Sequence, residues 1–487
     1  MSGGGMSGDA TAPHLAVAVI GAGAAGCLVA ARLIQHAGRR GTRLDLWLID
    51  PAHDSGRGTA YRTDDLRHLL NVPAGRMSAF AEDRDHFVRW LTGRHPRYAD
   101  PDAFVPRALY GSYLAEVLED AAVRGTSARL RRVHERAVGA QRRGTSVVCR
   151  LDSGRTVRAD AVVLAVGSPA PGCDWVPRAL RTSDRFVLSP WAPGALASVP
   201  HDADVLLVGT GLTMVDAALS LERPGRLLTA VSRSGLLPHP HAPAPLPPVP
   251  PPAVTGRAGL GALRREVLAQ VSRSRHRHGD WRPGFDSLRP LTSSLWRQLS
   301  TADRRRFLTD HLRLWEVHRH RMAPPTAAAL DRARDRGRLR MRAGEVADAL
   351  VTRDGVRVSL TDGTAVEVGA VVNCTGSQPD PSAVDDPLLR DLLESGRARP
   401  HPTGLGFDIL DDGRLRDGRT DTAASIWTIG ALRRGELLES TAIPEIRVQA
   451  DEIAGAITAV PRSRRPGDGI PQWRGISFAR GGWPHRG

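Results

Sequence analysis

The chain has 487 residues, more than one hydrophobic core needs, and this length suits two or three domains. Its composition, 41% hydrophobic and 24% charged, is typical of a globular protein and excludes a mainly disordered or fibrous one. The formal net charge of +15 comes from arginine, because the sequence has no lysine, and no nucleic-acid recognition motif accompanies it, so we predict no nucleic-acid partner.

The amino-terminal residues 1–13 are rich in glycine and serine and are predicted to be a disordered tail. No basic segment followed by an apolar core is present there, and the next apolar run is broken by glycines, so neither a secretory signal nor a membrane span is predicted. The four cysteines are far apart, which excludes a disulfide framework, a zinc CxxC pair and a CxxC flavin disulfide reductase. We therefore expect a cytoplasmic protein.

The first strand, turn and helix, LAVAVIGAGAAGCLVAARLI, predict a dinucleotide-binding unit. The first glycine of GAGAAG makes the tight turn, the second lets the backbone approach a pyrophosphate, and the third lets the helix pack on the strand. The pyrophosphate would lie at the helix N-terminus, where free N–H groups favour an anion. The next strand, LDLWLID, ends at Asp50, which can accept hydrogen bonds from adenosine ribose hydroxyls. The residues predicted to line the phosphate site are Gly21, Gly23, Ala24, Ala25 and Gly26.

A second unit of the same kind, DVLLVGTGLTMVDAALSL, starts at Asp204. Its first two glycines are present, but Met214 takes the third glycine position, which predicts looser helix packing or a shifted turn. The residues predicted to hold a second dinucleotide are Gly209, Gly211, Leu212 and Thr213.

The strand after this second turn, LLTAVSRSG, ends in Ser232 and Arg233 instead of an acid. An acid would accept from a free ribose hydroxyl, whereas arginine can pair with a 2′-phosphate. The sequence therefore favours NADPH over NADH. The alternative is that Arg233 is an ordinary solvated arginine.

Two apolar strands that end in glycine flank the second unit, ADAVVLAVGSP at Gly167 and AVVNCTGSQPD at Gly376. As a pair they resemble the two segments through which a chain crosses from a flavin domain to a nicotinamide domain and back. We therefore expect FAD on the first unit and the nicotinamide cofactor on the second. Near the carboxyl end a strand finishes at Gly430, and a helix starts at about Ile443 and Pro444. The N-terminus of this helix either faces the flavin pyrimidine carbonyl, which becomes anionic on reduction, or serves packing alone.

The segment between Leu237 and Pro252 cannot be a helix or a central strand, since proline lacks the N–H donor and fixes its own φ. It predicts a semi-rigid surface loop. Apolar and aromatic residues at helical spacing follow and predict a helix that ends before Pro324, within a helical insert on the nicotinamide domain. These residues are Phe307, Leu308, His311, Leu312 and Trp315.

Two pairs of histidines raise the question of a metal site, His239 with His241 and His318 with His320. A spacing of two residues points side chains apart on a helix, and no carboxylate or cysteine completes a set, so no metal is predicted. Nor does the sequence contain a nucleophile elbow or a P-loop. No catalytic residue is assigned, because a bound flavin would supply the chemistry.

With these residues the chain resembles a family of flavin monooxygenase-like proteins that includes FAD-dependent urate hydroxylase and nitrosuccinate-forming L-aspartate N-monooxygenase. The resemblance spans about residues 15 to 455. The segments that carry it are GAGAAG, GRGTAY from Gly56, HLLNVPAGRMS from His68, GTGLTMVD, VHRHRMAP and RRGELLESTAIPEIR.

The resemblance implies that residues 68–78 lie beside the flavin, with Asn71, Arg76 and Met77 in reach of the isoalloxazine or ribityl chain. By itself the segment predicts only an ordered loop. Many flavoproteins have an aspartate after the glycine that matches Gly430, and Ala431 stands here, so main-chain donors are expected to replace that contact.

The resemblance also implies the reaction: NADPH reduces FAD, O2 adds to the reduced flavin, and the hydroperoxide oxygenates a small nucleophilic substrate. We favour N-oxygenation of a small acidic amino acid, L-aspartate first, toward nitrosuccinate. The candidate carboxylate partners are Arg319, Arg321 and Arg447, each with the alternative of a solvated arginine. Other hypotheses are a urate-type hydroxylase, a flavoprotein reductase that passes electrons to a partner, and a sensing module that keeps FAD without turnover.

The predicted fold is α/β, with two Rossmann-like dinucleotide-binding domains, for FAD and NADPH, and a helical insert. The FAD-binding domain is discontinuous and comprises residues 14–170 and 360–461. The NADPH-binding domain comprises residues 171–359, with the proline-rich loop at 237–252 and the helical insert at 256–335. Residues 462–487 are predicted to be a second disordered tail.

Overall fold

A computed structural model describes residues 13–252, 259–418 and 423–459. Apart from Pro13, the two predicted tails lie outside the described residues. In chain order the strands are β1 (His14–Ile20), β2 (Arg43–Ile49), β3 (Ala128–Val133), β4 (Ala137–Arg143), β5 (Ser146–Leu151), β6 (Thr156–Ala159), β7 (Ala161–Leu164), β8 (Phe186–Val187), β9 (Val205–Val208), β10 (Leu228–Ser232), β11 (Leu339–Ala343), β12 (Val346–Val351), β13 (Val356–Leu360), β14 (Ala365–Val368), β15 (Ala370–Asn373), β16 (Arg414–Arg416) and β17 (Ala423–Thr428).

The helices cover the faces of the sheets and build the insert. In chain order they are α1 (Ala24–Arg39), α2 (Gly58–Tyr61), α3 (His86–Arg94), α4 (Arg107–Arg124), α5 (Arg178–Arg181), α6 (Leu212–Leu221), α7 (Leu260–His278), α8 (Arg282–Asp286), α9 (Thr292–Gln298), α10 (Thr301–Asp310), α11 (Leu312–Arg319), α12 (Pro324–Asp335), α13 (Pro387–Glu394), α14 (Arg434–Leu437) and α15 (Ile443–Ala459).

The first sheet has six strands in the order β16-β17-β7-β1-β2-β3, parallel except for the β16–β17 pair. Strands β1 and β7 are apolar because both faces of the sheet are covered. On one face Val17 and Val19 pack under α1 and α15. On the other, Ala18 and Ile20 pack under the antiparallel sheet β4-β5-β6 and α13.

The second sheet is fully parallel, in the order β11-β10-β9-β15-β8, and repeats this layering. Helices α6 and α12 cover one face, and the antiparallel sheet β12-β13-β14 covers the other. Because β15 belongs to this sheet, the second sheet extends past residue 360, where the sequence prediction placed the return to the first domain. That boundary was therefore set too early: β15 pairs with β9 through residues 370–373.

Two crossing segments connect the sheets, one after β7 and one after β15, and they are bonded to each other. Pro171 and Ser377 form an antiparallel bridge. Gln378 N–H donates to the Ala170 carbonyl at 3.0 Å. The two crossings therefore form a short two-stranded ribbon between the halves of the molecule.

The insert comprises α7 to α11 and has a small core of its own around Trp296. The indole Nε1 of Trp296 donates to the Gly435 carbonyl at 2.7 Å, which attaches the insert to the carboxyl-terminal part of the first half. The single helix predicted through Phe307 and Trp315 is two helices, because His311 leaves helical geometry with φ −127°. Pro324 begins α12, a position at which its missing N–H costs nothing. Among the described helices none combines the length and apolarity needed to cross a bilayer.

Candidate functional site

The first glycine turn, Gly21–Gly26, has the geometry that a bound pyrophosphate requires. Gly21 has φ +103°, and a Cβ there would lie 2.3 Å from the Ala165 carbonyl oxygen. A Cβ on Gly26 would lie 1.8 Å from the Gly21 carbonyl oxygen. Helix α1 starts after Gly23 with no capping side chain and no acid in its first turn. Its N-terminal N–H groups are therefore free to bind an anion.

Asp50 is held against this turn by main-chain donors. Its carboxylate accepts from Ala22 N–H at 2.7 Å and from Ala52 N–H at 2.8 Å. These bonds fix the carboxylate at the end of β2, where an adenosine ribose would lie, and leave lone pairs for its hydroxyls.

A second pair of glycines, Gly56 and Gly58, packs on the first turn. Only the family resemblance indicated this segment. Gly56 N–H donates to the Ala22 carbonyl at 2.8 Å. A Cβ on Gly58 would lie 3.1 Å from the Gly23 Cα, and Gly58 has φ +50°, so position 58 favours glycine. No spacing rule connects residues 23 and 58, and sequence reasoning alone could not have paired them.

The second glycine turn, Gly209–Met214, repeats the backbone of the first. Gly209 has φ +109°, and a Cβ there would lie 2.4 Å from the Cys374 carbonyl oxygen. Gly211 begins α6 with φ −82° and ψ −171°, close to the values at Gly23. Of the two expectations for Met214, looser helix packing or a shifted turn, the shifted turn is not observed, and the Met214 side chain is fully buried in the core between α6 and the sheet. Leu212 and Thr213 form the first turn of α6.

Three predicted glycines lie at carboxyl ends of strands with positive φ: Gly167 at +74°, Gly376 at +88° and Gly430 at +81°. The first two border the points where each sheet reverses its strand order, the usual position of a ligand crevice. At Gly430 the main chain is bound by Gln449 and Ser440 side chains at 3.0 and 2.7 Å. These bonds hold the end of β17 beside α15. The next residue is Ala431, at the position where many flavoproteins have an aspartate.

A cavity of about 170 Å³ lies where the first half meets the insert, and we call it the junction cavity. It is bounded by the loop 71–76, by the segment 438–445 that leads into α15, and by side chains of the insert. The lining residues are Asn71, Val72, Pro73, Arg76, His241, Asp286, Arg289, Glu316, Arg319, His320, Arg321, Arg434, Leu438, Glu439, Ser440, Thr441, Ala442 and Glu445.

Ion pairs make up much of the cavity wall. Arg319 Nε lies 2.8 Å from Glu439, and Arg289 binds both oxygens of Glu445 at 2.9 Å. Arg321 pairs with Asp286, and Arg434 lies 3.6 Å from Glu316. All four carboxylates in the wall therefore have an arginine partner. Arg76 is exposed and has no such partner within the described residues.

The structure separates the three predicted substrate arginines. Arg319 and Arg321 line the junction cavity, but Arg447 does not. Its Nη1 donates to the Ser78 carbonyl at 2.9 Å instead. Of the predicted flavin-side residues, Asn71 and Arg76 border the cavity, and Met77 is buried in the core below it.

Sequence reasoning missed Arg289, Asp286 and Glu445 as members of this site. Glu445 stands in the segment that carries the resemblance, and that was its only signal. Arg289 and Asp286 carry no signal, because their partners are distant in sequence.

Two histidines in the wall are neutral at neutral pH. Burial lowers the pKa of His241 to about 4, opposed mainly by its bond to the Asn71 carbonyl and by Asp286. Burial also lowers the pKa of His320 to about 4. His241 Nε2 is 2.9 Å from the Asn71 carbonyl oxygen, which can only accept, so the proton is on Nε2.

This lowered pKa predicts a pH dependence of stability. A histidine whose folded pKa lies below its ordinary value of 6.5 loses stabilisation as the pH falls from 6.5 toward 4. We expect His241→Gln to decrease the slope of stability against pH in this range, measured by chemical denaturation. His276→Gln, at an exposed position on α7, should leave the slope unchanged. Equal slopes for wild type and His241→Gln would contradict the assignment.

Comparisons with known proteins agree with this geometry. Residues 18–169 match the model of the FAD-NAD(P)-binding family. No curated protein matches the sequence. Among solved structures, L-lysine 6-monooxygenase from Pseudomonas syringae is similar with a TM-score of 0.64 and 19% identity over 92% of this chain and 99% of that chain. Reduced ornithine hydroxylase from Pseudomonas aeruginosa is similar with a TM-score of 0.61 and 17% identity over 91% and 99%.

A third similar structure is the ornithine N-hydroxylase of Kutzneria sp. 744 with reduced FAD, NADP+ and L-ornithine, at a TM-score of 0.59 and 16% identity over 92% and 99%. At these identities the likeness establishes the fold. The predicted α/β fold class is confirmed, and the chain contains an FAD/NAD(P)-binding domain. The narrower resemblance to urate hydroxylase and L-aspartate N-monooxygenase stays a prediction.

Proposed function

We propose that this chain is an FAD- and NADPH-dependent monooxygenase that N-oxygenates a small acidic amino acid, with L-aspartate favoured and nitrosuccinate as the expected product. The observation that carries the proposal is the charge of the junction cavity. Its wall has five arginines and four carboxylates, and each carboxylate is paired. The group left to bind a substrate is a cation, Arg76.

The residues of both glycine turns fit the two cofactors. The free N–H groups of α1 would hold the FAD pyrophosphate, and Asp50 would hold its ribose. The turn at Gly209 would hold NADPH, with Arg233 exposed beside Ser232 to pair a 2′-phosphate. When bound and reduced by NADPH, FAD supplies the activation of O2.

The cavity residues would orient and desolvate the substrate. Arg76 offers an unpaired guanidinium to a substrate carboxylate, whereas Arg319 and Arg321 are each paired with a carboxylate, and the wall as a whole keeps one excess positive charge. Like charges disfavour an ammonium, so this wall lowers the pKa of a bound amine and favours its free base. Ornithine and lysine carry a second, non-reacting ammonium that would need an unpaired carboxylate, and the four carboxylates in this wall are already paired. This contrast favours an acidic substrate over the substrates named for the similar structures.

The test follows NADPH oxidation by the FAD-loaded protein with L-aspartate, L-ornithine or urate, with assays for hydrogen peroxide, nitrite and nitroso product. Coupled turnover with aspartate supports the proposal. Coupled turnover with urate would replace it with the urate-type hydroxylase. Rapid NADPH oxidation that every substrate leaves unchanged and that ends in peroxide would favour a reductase.

Arg76→Met gives a sharper prediction for the same assay. Loss of one charge-assisted contact should lower kcat/KM for aspartate by about 10- to 100-fold. Because Arg76 is exposed, the unfolding temperature should not change. Arg40→Met, at another exposed arginine that does not line the cavity, is the matched control. Equal losses in both variants would remove Arg76 from the substrate site.

A further inference from the structure

The two glycine turns can be aligned because each has an equivalent main-chain hydrogen bond from its first glycine. Gly21 N–H donates to the Ile49 carbonyl at 2.8 Å, and Gly209 N–H donates to the Val231 carbonyl at 2.7 Å. Ser232 therefore occupies in the second half the position that Asp50 occupies in the first. In the first half that position marks the adenosine ribose. The ribose of a second dinucleotide is accordingly expected beside Ser232.

An arginine from the insert reaches this position. Arg313 Nη2 donates to the Thr210 hydroxyl at 3.0 Å and to the Thr210 carbonyl at 3.2 Å, and also to the Leu236 carbonyl. The Thr210 hydroxyl is in turn 2.8 Å from the Ser232 hydroxyl. In the first half the equivalent carbonyl, that of Ala22, accepts from Gly56 N–H. In the second half the insert therefore supplies a guanidinium at the position where the first half has a main-chain N–H.

The charge of Arg313 is not balanced by its protein contacts. Within the described part of the chain, Arg313 donates to one hydroxyl and two carbonyls, all through Nη2, so Nε and Nη1 are left for a ligand. Three other arginines in or directly after the insert have similar or greater burial, Arg289, Arg319 and Arg321, and each pairs with a carboxylate. Burial lowers the pKa of Arg313, and Glu316 raises it, but Glu316 lies nearer to Arg434. A half-buried cation without a carboxylate partner favours an anion.

We propose that Arg313 binds the 2′-phosphate of NADPH and that this contact from the insert determines the preference for NADPH over NADH. The proposal rests on the proposed function, since it needs a nicotinamide dinucleotide on the second turn. Arg233 directly follows Ser232 in the chain and is exposed. The two guanidiniums flank the phosphate, one from the sheet and one from the insert, and a phosphate can accept from both.

The experiment measures binding of 2′,5′-ADP and 5′-AMP to the FAD-loaded protein by calorimetry, because the two ligands differ only in the 2′-phosphate. Arg313→Gln keeps an amide donor for the Leu236 carbonyl and removes the charge. We expect about a 10- to 100-fold weaker affinity for 2′,5′-ADP and less than about a 2-fold change for 5′-AMP. Arg313→Lys should recover part of the affinity. Arg305→Gln replaces an insert arginine that binds the Pro402 carbonyl, and this variant should change neither affinity.

Binding by the wild type distinguishes the absence of a nucleotide site from a wrong role for Arg313. A wild type that binds neither ligand overturns the nucleotide site and the proposed function with it. A wild type that prefers 2′,5′-ADP, together with an Arg313→Gln variant that keeps the preference, overturns only the role of Arg313. Equal weakening of both ligands in Arg313→Gln also overturns it, because Arg313 would then only support the turn.

Discussion

Replacing Gly26 with alanine is expected to yield a folded protein that does not retain FAD. The new Cβ would lie 1.8 Å from the Gly21 carbonyl oxygen and 2.9 Å from its carbon, and both atoms are main chain that cannot rotate away. The turn must open, which moves the N-terminus of α1 away from the pyrophosphate. Overpacking of this kind costs roughly 1–3 kcal/mol. We expect about 10- to 100-fold weaker FAD binding, measured by flavin absorbance per protein and by titration of the apoprotein.

Gly93→Ala is the matched control. A Cβ at Gly93, in α3, meets no atom within 4 Å, so FAD content should be unchanged. Removing a glycine from a helix should also stabilise the protein by about 0.5–1 kcal/mol. Normal FAD content in Gly26→Ala would place the flavin away from this turn.

The second large effect is expected from Arg107→Met. Arg107 Nη2 lies 2.9 Å from the Asp216 carboxylate, and both side chains are largely buried between α4 and α6. Without the arginine, the Asp216 carboxylate would be a buried charge without its ion-pair partner, because His68 Nε2 lies 3.0 Å from the Asp216 main-chain carbonyl and not from the carboxylate. Loss of one partner from a buried pair costs about 3–5 kcal/mol. Chemical denaturation at about pH 7 should show this loss.

The pH dependence distinguishes this mechanism from a packing defect. Burial already raises the pKa of Asp216 above its ordinary value, and removal of Arg107 raises it further. An acid with a raised folded pKa loses stability as the pH rises above its unfolded pKa and regains it as the pH falls. The deficit should therefore shrink between about pH 7 and about pH 5.

The control for Arg107→Met is Arg357→Met, in an exposed pair with Glu367 on the small antiparallel sheet. That variant should lose about 1 kcal/mol or less. A deficit in Arg107→Met that is independent of pH would mean that the charge of Asp216 is not the cause.

The glycine turns were predictable because their constraint is local. Gly21 and Gly209 need positive φ and no Cβ, and these needs are visible in a sequence as glycine after a buried strand. Met214 shows the limit of that reasoning. Its side chain enters the core between helix and sheet, and the second turn keeps the backbone of the first without a third glycine.

The junction cavity was not predictable, because its contacts join distant parts of the chain. Arg289 and Glu445 are 156 residues apart, and Arg319 and Glu439 are 120 apart. In a chain with so many arginines, periodicity and composition do not show which arginine meets which acid. Only the family resemblance singled out the segments around residues 71 and 439, and it named neither the pairs nor the insert residues opposite them.

The ribbon formed by Pro171 and Ser377 has a mechanical consequence for the two halves. Two antiparallel segments bonded to each other act as a single hinge and not as two independent tethers. Bending one segment bends the other, so a rotation of one half can proceed about the ribbon axis while sliding is resisted. The Arg107–Asp216 pair is a further contact between the two halves, and a rotation would have to break or move it. The insert contacts both halves, through Trp296 and Arg313, so such a rotation would also have to displace the insert from one of them.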